Sequence, residues 1–129
     1  VAVVLKRRFS RIVEEALAEL PSDLADAVEN VALMVADRPD RETLVAAGVP
    51  DGETLLGLFE GVPLPDQDVM FPSPYPPRVT LFRLEIQNAA RRRGGGEAAL
   101  REVIRETLVH ELAHYFGFDE DEIAERGYG

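Results

Sequence analysis

Apolar residues recur at helical spacing near the start of the chain. Ile12, Val13, Ala16, Leu17 and Leu20 form one stripe behind Ser10, a candidate N-cap, so a helix is expected from Ser10 until Pro21 ends it. Ser22-Asp23 can cap a short second helix through Val28. The period then changes. Val31 to Ala36 is an unbroken apolar run of strand length, expected to be buried on both faces. Asp40 opens another short helix that stops at Gly48, Asp51-Gly52 marks a turn, and Thr54 to Phe59 reads as a second strand. From Gly61 to Pro77 the prolines at 63, 65, 72, 74, 76 and 77 predict an extended loop. Arg78 to Gln87 alternates most regularly, with Thr80, Phe82, Leu84 and Ile86 on one side and Val79, Leu81, Arg83 and Glu85 on the other, and is expected to be the best strand.

Gly94-Gly95-Gly96 then releases the chain into a long helix, about Glu97 to Phe116. Its first half is amphipathic, with Arg101, Glu102, Arg105 and Glu106 opposite Leu100, Val103 and Ile104. In its second half the formerly wet side carries Val109, Leu112, Ala113 and Phe116, so the helix is expected to run from the surface into the interior. The polar groups left at that end are His110, Glu111 and His114, with Tyr115 nearby.

A chain of 129 residues without internal repeats fits a single domain over residues 1–129. Cysteine is absent, which removes disulfides, thiolate ligands and thiol nucleophiles together. No apolar run approaches a membrane span, and the opening VAVVLKRRFS lacks the order of a secretory signal; a cytoplasmic protein is the simplest expectation. A net charge of −10 argues against nucleic-acid binding. The densest basic run, Arg91-Arg92-Arg93, reads as a solvated turn or as a basic rim beside the long helix.

His110 and His114 are both histidines of the chain, four residues apart. A helix turns about 100° per residue, so positions 110, 111 and 114 share one face. Two imidazoles at that spacing can close on one metal ion, with the Glu111 carboxylate beside it as a general base, the H-E-x-x-H arrangement of zinc hydrolases. A divalent cation would also offset the cost of burying these groups together. Gly117 can reverse the chain and bring the acidic run after Phe118 back toward the metal. Six residues after the second histidine stands Glu120, the preferred third ligand, with Asp121 and then Asp119 as alternatives; the same residues also read as the start of a C-terminal helix, Asp119 to Glu125.

The stretch LREVIRETLVHELAHYFGFDEDEI resembles the active-site region of the small zincin-like metallopeptidases, the minimal zincins. RIVEEALAELPSDLADAVENVALMV and LLGLFEGVPL resemble that family's N-terminal half. The resemblance implies an α+β fold, a small mixed sheet packed on the active-site helix, with Zn2+ on His110 and His114 and with Glu111 as base. The related pattern has aspartate where this chain has Glu120. The C-terminal subdomain and methionine turn of longer metzincins have no counterpart after Gly117.

The activity implied is hydrolysis of a peptide or protein substrate, with the peptide added as a strand along Thr54 to Phe59 or Val79 to Ile86. Narrow specificity, latency or a partner protein that completes the cleft is expected from the short chain after the motif. Tyr115 and Tyr128 are oxyanion candidates by chemistry alone, and Glu106 could support His110. Two alternatives remain. The motif is also similar to that of bacterial rRNA-maturation endoribonucleases, which carry a third histidine where Glu120 stands. A zinc-stabilised interaction module without turnover is the other. Peptide deformylase shares H-E-x-x-H but needs a cysteine ligand that this chain lacks.

Overall fold

The computed structural model describes residues 2–127. In chain order it contains α1 (Ala2–Ala18), α2 (Ser22–Val28), β1 (Ala32–Ala36), α3 (Arg41–Ala46), β2 (Gly57–Glu60), β3 (Arg78–Phe82), α4 (Arg83–Arg92), α5 (Gly96–Tyr115) and α6 (Glu120–Glu125), with one 3-10 turn at Leu64–Asp66. The three strands form one mixed sheet in the order β1-β3-β2, with β1 parallel and β2 antiparallel to the central β3. The α+β class expected for this chain is what forms. No helix among the described residues is long and apolar enough to cross a membrane.

The core lies where α1, α4 and the sheet meet α5. Phe9, Ile12, Val13 and Ala16 come from α1, Val79 and Leu81 from β3, Ile86, Ala89 and Ala90 from α4, and Leu100, Val103, Ile104, Leu108 and Leu112 from α5. In β3 the period of two is visible directly. Val79 and Leu81 are fully buried, while Thr80 between them is only half-buried.

Four expectations are corrected. Ser10 does not begin the first helix, because α1 already runs from Ala2 and Ser10 lies exposed in its interior. The strand at Ala32–Ala36 is not buried on both faces. It is an edge strand, unpaired on its outer side among the described residues, and Met34 and Val35, which point to opposite faces of the sheet, stay 49% and 42% exposed. The strand expected over Thr54 to Phe59 is shorter and later, at Gly57–Glu60.

The long strand expected from Arg78 to Gln87 is half strand and half helix. Pairing with β1 ends at Ala36 opposite Phe82, and α4 follows at once, burying Arg83, Ile86, Ala89 and Ala90 on one face. The basic run that ends α4 is exposed throughout, as a solvated turn would be, and only its last residue reaches the long helix: Arg93 pairs with Glu102 and Glu106 of α5 at 2.7 Å each. The triple glycine between the two helices has φ of 104°, 73° and 84°, the left-handed region in which a side chain is strained, so the reversal requires these residues.

A surface network clips α1 to α5. Arg11 bonds Glu15 and Glu97, and Arg101 bonds Glu15 from the opposite side. Arg101 holds the Glu15 carboxyl below its usual range with help from Arg11, and Arg11 does the same to Glu97. A carboxyl depressed on folding contributes stability above its unfolded pKa of about 4.3, and that contribution is lost as pH falls through the depressed value. Melting temperature should therefore drop between about pH 5 and about pH 2. The drop should be shallower in Arg101→Met, and parallel curves for the two proteins would show that the network is inert.

Candidate metal centre

α5 carries the site, and its depth decides the chemistry of each group. Leu108, Leu112, Ala113 and Tyr115 are buried against the body of the protein, which leaves His110 and His114 half-buried on the adjoining face. The two rings meet edge to face, with centroids 5.1 Å apart. Ligand atoms of His110, Glu111 and His114 all lie within 4.8 Å of one another, a group that could hold a metal ion.

The helix ends in a turn that returns the chain to these histidines. Gly117 donates to His114 O at 2.9 Å and Phe118 to Ala113 O at 3.1 Å, with Gly117 at φ 89°. This is the Schellman arrangement, which satisfies two orphan carbonyls and sends the chain back. Asp119 then caps α6 by accepting from Glu122 N, and the Glu122 side chain accepts from Asp119 N in return. Ile123 is buried, and Arg126 lies over the Phe118 ring at 4.2 Å, so α6 is held at both its ends.

Glu120, the first residue of α6, is thereby aimed at the histidine pair. Its carboxylate lies 2.9 Å from His114 Nε2 and 3.3 Å from His110 Nε2. The C-terminal helix and the return of Glu120 are therefore one event, although each was expected as an alternative to the other. Asp119 is committed to the cap. His114 Nδ1 lies 3.1 Å from Phe118 O, and a carbonyl can only accept, so that nitrogen carries the proton. Nε2 faces the Glu120 carboxylate and either donates a proton to it or offers a lone pair to a cation between them. Two electron-pair donors that close need a cation or a proton between them, which is the condition a metal site meets.

Glu111 is positioned differently. It is only 8% exposed, and its Oε1 accepts from the backbone N–H of Phe59 in β2 at 3.0 Å. Burial pushes its carboxyl above the usual range, opposed in part by the two imidazoles and the Phe59 N–H. The outward N–H of β2 is available because β2 spends its other edge on β3.

Gly57 makes this approach possible. A Cβ there would sit 2.8 Å from Thr107 Cγ2 and 3.2 Å from Glu111 Cγ. A glycine inside a strand pattern is a readable sign of close backbone approach, and it was the available signal for this part of the site. Gly57→Ala should cost about 1–3 kcal/mol by overpacking and should displace Glu111. An unchanged denaturant midpoint would count against so tight a contact.

Other candidates fall elsewhere. Tyr115 is 2% exposed, with its ring 5.7 Å from that of Phe59, which makes it a core residue. Tyr128 lies outside the described residues. Glu106, expected to support His110, is bound to Arg93 instead. Val79 to Ile86 cannot receive an added strand, because β3 is the central strand and continues as α4; the outer edge of β2 faces α5, with Phe59 N–H bound to Glu111.

A family model described as zincin-like metallopeptidase matches residues 28–129. Among curated proteins, none matches the sequence. Among solved structures, a conserved hypothetical protein from Thermus thermophilus superposes with a TM-score of 0.54 at 19% identity, over 94% of this chain and 98% of that one. At that identity the likeness concerns the fold.

Proposed function

The chain belongs to the zincin-like metallopeptidase family, and from that premise we propose that it is a zinc-dependent peptidase. His110, His114 and Glu120 would hold the metal, and Glu111 would act as general base. The observation that carries the reading is the separation of the two glutamates. Glu120 faces both imidazole Nε2 atoms, while Glu111 is held beside them by Phe59 N–H.

The donor spacing fits. Tetrahedral ligands at about 2.0–2.1 Å from zinc stand roughly 3.3 Å from each other, against 2.9 and 3.3 Å between Glu120 and the two imidazoles. When bound, zinc lowers the pKa of a coordinated water and polarises the scissile carbonyl. Glu111 accepts a proton from the attacking water and delivers it to the leaving amine, a transfer favoured by a carboxyl whose proton affinity is already raised by burial. His114, with its Nδ1 proton bound by Phe118 O, keeps one tautomer throughout. The Phe59 N–H fixes one oxygen of Glu111 and leaves the other for the proton.

The test is cleavage of a mixed peptide library, read by mass spectrometry. Zinc-loaded protein should cut a restricted set of bonds, a chelator should abolish the cuts, and added zinc should restore them. Zinc-dependent melting without any cleavage would overturn the peptidase reading in favour of a zinc-stabilised module.

A further inference from the structure

A cleft reaches the site at His110 and Glu111 and extends well beyond it. From His110 and Glu111 it runs back along α5 as far as Ala98, with Leu24 among its apolar wall residues, and has a volume of about 1130 Å³. Three arginines line it, and two are already engaged. Arg93 bonds Glu102 and Glu106, and Arg101 bonds Glu15 and lies 4.0 Å from Glu19. The acidic wall residues Glu19, Glu102 and Glu106 are thereby paired. Arg105 is exposed and, among the described residues, has no ion-pair or hydrogen-bond partner.

Resting on the peptidase reading, we infer that Arg105 is a specificity-determining residue that receives a carboxylate of the substrate, either an acidic side chain or the free C-terminus. Arg105 precedes His110 by five residues, about 7.5 Å along the helix axis and about 140° around it, so the two side chains meet only across the width of the cleft that both line, which an extended peptide crosses in roughly three residues or more. That is the expected distance of the carboxylate from the scissile bond. A guanidinium binds carboxylate through two parallel N–H donors, so it selects by geometry as well as by charge. A local cation is what an acidic group would need on this chain. With a net charge of −10, the protein repels acidic peptides at long range, and only a short-range contact can favour them.

The experiment uses matched fluorescein-labelled peptides, Glu against Gln at each position around a common cleavage site, and C-terminal acid against amide. Binding to zinc-loaded protein is read by anisotropy, and cleavage is read separately. Wild type should bind the carboxylate member about tenfold more tightly. That ratio should collapse toward one in Arg105→Gln, invert in Arg105→Glu and persist in Arg92→Gln, whose arginine lies outside the cleft. The Glu arm and the C-terminal arm distinguish the two carboxylate sources. Equal binding of both members by wild type, a ratio kept in Arg105→Gln, or no peptide binding at all overturns the inference. Failure of the peptidase reading looks different, since peptides would then bind with the carboxylate preference and remain uncut.

Discussion

Glu111→Gln protein should bind zinc as wild type does and hydrolyse peptides about 10²- to 10⁴-fold more slowly, the usual contribution of a positioned general base. Glutamine keeps the volume of the buried side chain, and its carbonyl oxygen can still accept from Phe59 N–H, so the contact with β2 survives. What disappears is the basic oxygen that takes the proton. The substitution also removes a carboxylate from a buried position, where charge is costly, so the variant should fold at least as stably. Metal content and turnover are therefore measured on the same preparation. Equal turnover by variant and wild type, with zinc present in both, would remove Glu111 from the mechanism.

Metal analysis of the ligand variants has the second large effect. His114→Ala should lose stoichiometric zinc, because it removes both an imidazole and the group oriented by Phe118 O. Partners that merely support ligands typically contribute 10- to 100-fold in metal affinity, so loss of a true ligand at Glu120→Ala should cost more than about 100-fold. Asp121→Ala should leave zinc binding intact, since Asp121 sits one residue further along α6, which turns it about 100° from Glu120. If Glu120→Ala keeps full affinity while Asp121→Ala loses it, the third ligand is misassigned. Melting with and without chelator supplies an independent reading, because zinc bound to the folded state raises the melting temperature by mass action.

The donors were legible in the sequence because they are local. Histidines at i and i+4 share a helix face whatever the tertiary structure, and Gly117 made a reversal readable one turn later. The position of Glu111 against Phe59 was not legible, because it depends on where β2 docks. The missed helix α4 has a related cause. Phe82, Leu84 and Ile86 continue the alternation of β3, while Arg83, Ile86 and Ala90 also fit a helical stripe, and the deciding fact is that β1 ends opposite Phe82. The exposure of Met34 and Val35 escaped prediction for the same reason, since an apolar run looks alike in a central strand and at an edge.

The Phe59–Glu111 bond spans 52 residues of sequence, whereas Glu120 reaches the two histidines across six and ten. Local contacts cost little loop entropy and form fast, while distant ones wait for the sheet. On the proposed function, affinity for the ion and competence to turn over would then belong to different stages of folding. A chain that has closed the turn at Gly117 but not yet docked β2 already gathers the three donors, while its base remains unset. Any variant that loosens the sheet should then drift toward that condition, keeping affinity for the ion while losing the hydrolysis proposed above.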